Sequence, residues 1–418
     1  MRIENFRTEG TSGLARIVAD VVWEDCDRPR RCVYFETVAE HAGYLARSVH
    51  PFFVACCIPA LYCGEKRLWT ADEVCPELQD GLRTAVNLFT VWHGLRQPAL
   101  RLECRTESEP QLQGSPRAAC FLSGGVDSLF TLRKNRREVA ASHPASIQDA
   151  ILVYGFDMGY SEGLEHISSF DLARQALQDV ARDASVQIVP VYTNIRHLCE
   201  DGGFWIYWYF GAALASVGHA LAGRISRVSI ASSSIFDRAE DMALAHGSHP
   251  ALDPLYSSYN LRVLHDGARF SRLDKVRAIA DWGVAMKGLR VCTRNLEGVL
   301  NCGRCEKCVR TLLELLAVGA SGYESAFAET EVTDRSMAVV RVDNHYLASF
   351  YRDMIAPLEA RGMKDMALRL QRLLRAYRVR CWIMQHGGEA LKQGLKKLDA
   401  AWLGGRLRRA MAERRNRA

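Results

Sequence analysis

The residue types best suited to chemistry form a glycine-containing stretch that follows a short apolar run. It consists of Ser123, Gly124, Gly125, Val126, Asp127 and Ser128. Glycines allow a tight turn and a close approach of the backbone to a ligand, and the amides of a helix that starts there attract an anion. The serine hydroxyls would donate to phosphate oxygens, and Mg²⁺ would bridge the phosphates to Asp127. The alternative is a strand-to-helix turn in which Asp and Ser act as caps.

Four cysteines form a second candidate site: Cys292, Cys302, Cys305 and Cys308. A redox pair requires a thioredoxin-like setting at the first helix after a strand, and this stretch is not in such a setting. A [4Fe–4S] cluster is bound by similar spacings, and four thiolates also bind one tetrahedral zinc ion. The residues by themselves leave the cluster and the zinc ion as alternatives.

A polar segment further along the chain offers candidate substrate contacts. These are Ser233, His249, Asp253 and Arg272. Polar loops that are held on a rigid scaffold often carry function. A helix predicted to start after Ser271 places Arg272 and Lys275 on one face. The alternatives are a polar surface loop and a solvated basic helix face.

The elements that must position these residues alternate between strands and helices. Apolar runs at 118–122, 150–158, 186–194 and 227–233 predict strands, and the intervening patterns predict helices at 126–138, 165–184 and 203–222. This alternation predicts an α/β fold with a parallel sheet and right-handed crossovers. Ligands of such sheets bind at the carboxyl ends of the strands. The glycine stretch follows the first strand and the polar segment follows the fourth, so we expect both at that edge.

The stretch Ser-Gly-Gly-x-Asp-Ser after the first strand resembles the PP-loop signature of the N-type ATP pyrophosphatases. It is not a Walker A loop, because the lysine is missing. The resemblance implies a Rossmann-like domain of the adenine nucleotide alpha hydrolase-like (HUP) type. In that family the loop binds the pyrophosphate of ATP with Mg²⁺, a substrate oxygen is adenylated, and a nitrogen or sulfur nucleophile displaces AMP. The resemblance further implies that Asp127, Ser128 and Lys275 are catalytic, and that Tyr154 and Gly155 lie beside the adenosine.

The cysteines behind this loop are similar to those of the 7-cyano-7-deazaguanine synthase branch of the family. The matching pattern is Cys292-x₉-Cys302-Gly303-Arg304-Cys305-Glu306-Lys307-Cys308-Val309-Arg310. The resemblance covers residues 118–322. It implies structural zinc, a 7-deazaguanine-type or other small-molecule acid as substrate, and ammonia or an amine as nucleophile. The synthases are shorter, single-domain proteins, and enlarged relatives occur in bacterial anti-phage operons and natural-product clusters, so a protein or RNA acceptor is a further expectation.

Two other functions compete with this one. A PP-loop sulfurtransferase would thiolate a nucleobase, an RNA or a small molecule, and it needs a reactive cysteine near the strand ends. Cys199, after the third predicted strand, is the candidate, although a single cysteine of this kind also fits an apolar core. The second alternative is a non-catalytic scaffold that binds ATP, against which the intact glycine stretch argues.

Three segments are predicted along the 418 residues, a length that suggests two or three domains. An α+β segment spans 1–114, the α/β segment spans 118–322, and helices with a basic tail span 335–418; residues 107–118 are predicted to form a linker. The net charge of +6 comes largely from the tail, which also fits a solvated terminus. We expect a cytoplasmic protein without a membrane partner, because neither a signal peptide nor a transmembrane run is found. Related enzymes are often dimers, which makes a homodimer an expectation.

Overall fold

A computed structural model describes residues 1–11, 13–96, 99–108, 117–159, 167–236 and 242–402. The chain divides into two compact units, Met1–Val339 and Val340–Ala418. Within the described residues, no helix is both long enough and apolar enough to span a membrane. The predicted basic tail and most of the predicted linker lie outside the described residues.

The first unit is built on one sheet, to which the described residues contribute ten strands in the order β10-β9-β6-β7-β8-β3-β2-β1-β4-β5. The strands are β1 Arg2–Thr11, β2 Leu14–Val22, β3 Arg31–Val38, β4 Arg67–Val74, β5 Arg101–Thr106, β6 Ala118–Phe121, β7 Ile147–Tyr154, β8 Gln187–Thr193, β9 Arg227–Ala231 and β10 Arg262–Asp266. Most neighbouring strands run parallel. The predicted α/β class with a parallel sheet is therefore confirmed.

The parallel half of the sheet contains the four strands predicted from the apolar runs, which are β6, β7, β8 and β9. The chain moves outwards from β6 through β7 to β8, then returns to place β9 and β10 on the other side of β6. A crevice opens at such a reversal, between the carboxyl ends of β6 and β9. The segments that follow these two strands are the glycine stretch and the polar segment.

The amino-terminal strands extend this same sheet. The antiparallel strands β1, β2 and β3 follow one another, and β3 pairs with β8 through Phe35 and Thr193. The sequence places a segment boundary between residues 114 and 118, and strands from both sides of that boundary lie in one sheet.

Helices cover both faces of the sheet. The first unit contains α1 His50–Tyr62, α2 Pro76–Trp92, α3 Val126–Glu138, α4 Ile167–Asp183, α5 Phe210–Ala220, α6 Arg272–Ile279, α7 Gly283–Lys287 and α8 Glu306–Val318. Side chains of α1, α2 and α5 share one apolar core with Ile151 of β7. Side chains of α3, α4 and α8 share the other core with Leu152, the next residue of that strand. Alternate residues of a strand point to opposite faces, so the unit has three layers.

The helix predicted at 203–222 is interrupted. One α-helical turn, Gly202–Phe204, leads into a π-helical turn, Trp205–Tyr209, before α5 begins. The backbone of Gly247 causes the interruption: its amide donates to the Ile206 carbonyl, and its carbonyl accepts from the Gly211 amide at 2.7 Å. A side chain at Gly211 would collide with Asp253, because a Cβ there would lie 2.3 Å from Oδ1. The loop after β9 is thus fastened to this helix.

Short turns complete the first unit. Ala39–Tyr44, Ile195–Leu198, Asp253–Tyr256 and Glu324–Ala326 form 3-10 turns, and Asp334–Met337 forms one α-helical turn. The second unit contains α9 His345–Ala360 and α10 Lys364–Trp402. Tyr351 and Met354 of α9 and Leu370 of α10 are buried, so the prediction of a helical carboxyl-terminal segment is confirmed for the described residues.

Candidate functional site

The glycine stretch forms a tight loop between β6 and α3. Gly124 has a φ of +80°, and a Cβ there would lie 3.1 Å from the Gly288 carbonyl oxygen. The Ser123 hydroxyl accepts from the Gly125 amide at 3.3 Å, and the Ser128 hydroxyl donates to the Gly125 carbonyl at 2.9 Å. Among the described residues, no side chain caps the start of α3. The amides of its first turn therefore face the crevice without a capping side chain.

Asp127, on the first turn of α3, is joined to two cations from α6. Arg272 Nη1 lies 2.8 Å from one carboxylate oxygen, and Lys275 Nζ lies 3.2 Å from the other. Burial acts to raise the pKa of Asp127, but Lys275 and Arg272 outweigh it and hold the pKa below its ordinary value. The capping box of Ser271 and Asp274 fixes the start of α6, so the predicted N-cap is confirmed.

Lys275 is 1% exposed, which is rare for a lysine. Its ammonium group also donates to the carbonyl of Ser232, directly after β9. The Ser232 amide in turn donates to the Asp266 carbonyl at the end of β10. Lys275 therefore links α3, α6 and the end of β9, which are the elements that border the crevice.

Helix α8 adds Glu314 and Arg310, which the sequence reasoning did not assign to this site. Glu314 Oε2 lies 3.3 Å from Arg272 Nε, and burial raises the pKa of Glu314. Arg310 is buried and acts electrostatically on both Asp127 and Glu314. A signal for them was present: Glu306, Arg310 and Glu314 recur every four residues in α8 and therefore share one face of the helix.

The charged groups at this site balance one another. Lys275 and Arg272 pair with Asp127, Arg272 also pairs with Glu314, and Arg310 Nε lies 3.5 Å from Glu306 Oε1. Because these groups are wholly or largely buried, water screens their interactions weakly. The feature that favours an anionic ligand is therefore the start of α3, whose amides have no capping side chain.

The loop after β7, which contains the predicted Tyr154 and Gly155, is held by close backbone packing. Gly155 has a φ of +106°, and a Cβ there would lie 1.8 Å from the Thr193 carbonyl oxygen. The Tyr154 ring packs on the Gly159 backbone and against the ring of Phe170. Tyr154 therefore stands at the carboxyl end of β7, one strand away from the glycine loop.

Arg290 and Asn295 connect these two loops, and the sequence reasoning did not identify them. The Arg290 amide donates to the Gly124 carbonyl at 2.8 Å, and its guanidinium group donates to the Asn295 side chain. Asn295 then donates to the Asp157 carbonyl at 2.7 Å. Neither residue matches a motif, so only the folded chain shows this link.

The structure places the predicted substrate contacts in two different settings. Arg272 forms an ion pair with Asp127, and Ser233, which follows β9, is partly exposed. His249 and Asp253 are fully buried, and Asp253 accepts hydrogen bonds from Ser248 at 2.8 Å and from His265 at 2.7 Å. Burial lowers the pKa of His249 to about 4, which keeps its ring neutral. The observed contacts of His249 and Asp253 fasten the loop after β9, and their predicted role with a substrate stays a prediction.

The four cysteines converge as predicted, and all four Sγ atoms lie within 4.8 Å of one another. The Cys292–Cys302, Cys302–Cys308 and Cys292–Cys305 separations are 3.6, 3.8 and 3.9 Å. Thiolates around one tetrahedral ion at 2.3 Å lie about 3.8 Å apart. Ligands of a four-iron cluster each bind a different iron and must surround the whole cluster. The spacing therefore fits a single metal ion.

Two residues shape this metal centre. Gly303 has a φ of +73°, and a Cβ there would lie 2.0 Å from the Glu329 carbonyl oxygen, so the tight turn requires glycine. The Asn301 side chain is buried, donates to the carbonyls of Leu289 and Ala326, and accepts from the amides of Val291 and Cys292. Asn301 therefore ties the cysteines to the segment that contacts the glycine loop.

The four cysteines are connected to the charged site through α8. Cys305 is the N-cap of this helix and Cys308 lies in its first turn. Arg310 and Glu314 follow within the next two turns. A metal ion at the cysteines would therefore fix both the helix that carries these charges and the segment beside Gly124.

Cys199 lies apart from the metal centre, after β8. Cys63 donates a hydrogen bond to Cys199, which lowers the pKa of Cys199 to about 6 against the opposing effect of burial. Arg28 adds a guanidinium group 3.9 Å from the sulfur. Cys199 is buried in the core on the α1 and α5 face, whereas the side chains of α3 pack on the other face.

Comparisons of the chain with protein-family models, with curated proteins and with solved structures found no match. The geometry of the chain thus carries the functional argument. It combines a glycine loop with an uncapped helix start at the strand reversal, a buried cluster of ion pairs, and four cysteines able to hold one metal ion.

Proposed function

We propose that the chain is an ATP-dependent PP-loop enzyme that adenylates a substrate carboxylate or carbonyl and releases pyrophosphate. One observation carries this proposal: the loop from Ser123 to Ser128 lies at the strand reversal, and Lys275 and Arg272 converge on its Asp127. A domain of the HUP type would place the triphosphate of ATP over this loop. The amides at the start of α3, which no side chain caps, support an anionic ligand.

Each residue has a role in the proposed reaction. The amides of the loop and the hydroxyls of Ser123 and Ser128 bind phosphate oxygens, and Lys275 and Arg272 hold the charge of the departing pyrophosphate. Asp127 is 22% exposed on its side chain, and its carboxylate has lone pairs beyond those that accept from the two cations. Asp127 therefore fits a Mg²⁺ ion, which supplies further charge neutralisation to phosphates.

The chemistry consists of two displacements. A substrate oxygen forms a bond to the α-phosphorus of ATP while the bond to the bridging oxygen breaks and pyrophosphate leaves. An amine or ammonia then attacks the activated carbon, and AMP leaves with the bonding electron pair. A 7-deazaguanine-type acid is our first candidate for the substrate, and a protein or RNA is a candidate for the nucleophile in an anti-phage or natural-product operon.

The metal is proposed to be zinc with a structural role. Four thiolates at tetrahedral spacing are typical of structural zinc sites. The Asn301 side chain connects this site to the neighbouring segment by accepting hydrogen bonds from the amides of Val291 and Cys292. Zinc would supply no chemistry to the substrate. It would hold α8 and the segment that donates to Gly124.

Release of pyrophosphate tests the enzymatic proposal. The full chain is incubated with ATP, Mg²⁺, an ammonium salt and each of a panel of acids that includes 7-carboxy-7-deazaguanine. We expect acid-dependent release of pyrophosphate and AMP, and a loss of at least about 100-fold in Asp127→Asn. Lys287→Met, which changes an exposed residue of α7, is the matched control and should retain activity.

Two results would contradict the proposal. If ATP does not bind, the anion site has been misassigned. If ATP binds but is never cleaved between its α- and β-phosphates with any acid or acceptor, the chain is a nucleotide-binding scaffold instead.

The environment of Cys199 supports sulfur transfer as the second candidate function. Its lowered pKa favours the thiolate at neutral pH. Cys199→Ser should abolish sulfur incorporation if this alternative holds, and it should leave pyrophosphate release with an amine acceptor unchanged if the first proposal holds. Cys57→Ser, a buried cysteine of α1, controls for effects on folding.

A further inference from the structure

Strands β3 and β8 separate soon after they meet. Within the described residues, their pairing is limited to two pairs, Phe35 with Thr193 and Glu36 with Tyr192. The next alternate residue of β8 is Pro190, which has no amide hydrogen and cannot continue the ladder as a donor. Its carbonyl accepts from the Thr37 hydroxyl at 2.7 Å instead. The amino-terminal half of β8 is therefore not paired with β3.

A cavity of about 410 Å³ lies at this separation, and its volume is within the range of roughly 300–1,000 Å³ that small-molecule sites occupy. The apolar side chains that line it come from both strands and include Val38, Ile188 and Pro190. The 3-10 turn Ala39–Tyr44 contributes His41, and α4 contributes Arg174. The cavity lies along the amino-terminal half of β8, whereas the glycine loop follows the carboxyl end of the parallel strand β6. It is therefore separate from the proposed catalytic site.

His41 carries a buried ring nitrogen that lacks a partner. The residue is 4% exposed, and its ring stacks on Tyr44 with 4.5 Å between the ring centres. Nε2 lies 3.7 Å from Glu40 Oε1, but Nδ1 has no hydrogen-bond partner among the described residues. Buried polar atoms in folded proteins are normally paired. The stacked ring is thus held beside the cavity with one nitrogen left for a bound molecule.

Arg174 has the same feature on α4. Its Nε atom is buried and has no hydrogen-bond partner in the part of the chain that the structure describes. Its Nη2 lies 3.3 Å from Asp171 Oδ1, in an ion pair whose side chains are 41% and 46% exposed. Pairs this exposed contribute little stability, so the guanidinium group can bind a second acceptor through Nε. Because Nε only donates, and a planar guanidinium group is best matched by two oxygens, the missing partner fits a carboxylate.

We propose that this cavity binds a small organic acid that carries one carboxylate and an apolar body. The carboxylate accepts from Arg174 Nε and from His41 Nδ1, the two buried nitrogen atoms without a partner among the described residues. The apolar body packs on the side chains contributed by the two strands, Val38, Ile188 and Pro190. Their burial by the ligand removes apolar surface from water and adds to the affinity.

The charges around the cavity favour one negative charge on the ligand over the two of a phosphate. Arg174 and Arg182, which both line the cavity, each pair with an acidic residue three positions earlier in α4. Glu40 adds a further carboxylate to the lining. A doubly charged phosphate would be repelled by these carboxylates, and inorganic phosphate would leave the apolar side chains in contact with water.

Calorimetric titration of the full chain tests the proposal without ATP, so the result does not depend on the proposed activity. The probes are octanoate and benzoate, and the matched neutral controls are octanamide and benzamide. We expect at least one acid to bind at one site per chain, with an affinity at least about 10-fold higher than that of its amide. Failure of both acids to bind at millimolar concentration, or equal affinity of acid and amide, would overturn the proposal.

Two variants test whether the acid occupies this cavity. Gln178→Trp fills the cavity from an exposed position of α4 and should abolish binding, whereas Gln175→Trp, exposed on the same helix but outside the lining, should bind as the wild type does. Arg174→Gln should weaken binding by at least about 10-fold, and Arg101→Gln, at an exposed residue of β5, is its control. Unchanged affinity in Gln178→Trp or in Arg174→Gln would place the acid elsewhere and overturn the proposal.

Discussion

At the scale of single residues, the proposed activity depends on charges that are held out of water. Lys275, Arg272 and Arg310 surround Asp127 and Glu314, so no member can be removed without changing the balance for the others. Buried ion pairs contribute little net stability, whereas breaking one is costly because its partner is left alone. The arrangement is therefore better explained by ligand binding than by stability.

Lys275→Met should lower both activity and stability. The substitution leaves Asp127 with Arg272 as its remaining close cation and removes the hydrogen bond to Ser232. We expect a loss of about 1–3 kcal/mol in the free energy of unfolding and of at least about 100-fold in pyrophosphate release. Urea unfolding and the release assay measure the two effects. A variant with full activity would remove Lys275 from the proposed machinery.

Glu314→Gln should change the pH dependence of stability. Burial raises the pKa of Glu314 above its unfolded value, so the folded state binds its proton more tightly than the unfolded state. Stability from this group is complete below the unfolded pKa and is lost as the pH rises through the folded pKa. Glutamine cannot ionise, so the variant should lose less stability than the wild type between pH 4 and pH 8 in urea unfolding. If the free energy of unfolding changes equally with pH in the two proteins, this prediction is wrong.

At the scale of elements, the glycine loop owes its shape to a backbone conformation and to close packing. Gly124→Ala should destabilise the fold by about 1–2 kcal/mol, because a side chain disfavours the left-handed conformation and its Cβ would press on the Gly288 carbonyl. Gly283→Ala is the matched control, since nothing lies within 4 Å of its Cβ position, and it should stabilise by about 0.5–1 kcal/mol. Thermal unfolding measures the stability of both variants. Equal changes in stability would show that the conformation and packing at Gly124 do not require glycine.

Metal removal should loosen the anion site before it unfolds the sheet. Cys305 caps α8, and Asn301 connects the cysteines to the segment beside Gly124. We expect one zinc ion per chain in elemental analysis. Binding of inorganic pyrophosphate should weaken at least about 10-fold after chelation, with far-ultraviolet circular dichroism largely retained. Iron in place of zinc, or unchanged pyrophosphate affinity in the metal-free protein, would refute this.

The sequence predicted the elements with strong patterns and missed those that depend on tertiary contacts. The apolar runs predicted β6 to β9, and the spacing of the cysteines predicted their convergence. Strand β10, Arg262–Asp266, was missed because it is a short edge strand with polar residues at both ends. The π-helical turn at Trp205–Tyr209 arises from the backbone of Gly247, forty residues away, which no local pattern encodes.

The residues of the candidate site were likewise predicted where a local sequence pattern marks them and missed where they depend on tertiary contacts. The motif identified Asp127 and the helix start suggested Lys275, but neither revealed that the two form an ion pair. Glu314 and Arg290 lie in a helix and a connecting segment whose approach to the glycine loop depends on the whole fold. His249 and Asp253 were chosen as polar loop residues, and their burial could not be read from composition.

At the scale of the whole molecule, the proposed catalytic domain cannot be separated from the residues that precede it. Strand β3 pairs with the edge of β8, and α1 and α2 cover one face of the same sheet. Removal of these elements would expose both an unpaired strand edge and an apolar surface. Val340–Ala418, in contrast, forms its own compact unit.

Two truncations should therefore behave differently. A fragment of residues 117–339 should aggregate on expression, because it loses the cover of the α1 and α2 face. The fragment that ends at Val339 should be recovered in soluble form with cooperative unfolding and should release pyrophosphate with the same acid dependence as the full chain. Soluble yield, thermal unfolding and the release assay compare the two fragments. Recovery of a folded 117–339 fragment would show that the amino-terminal strands are an addition to an independent domain, and an unfolded 1–339 fragment would show that the first unit depends on the residues that follow it.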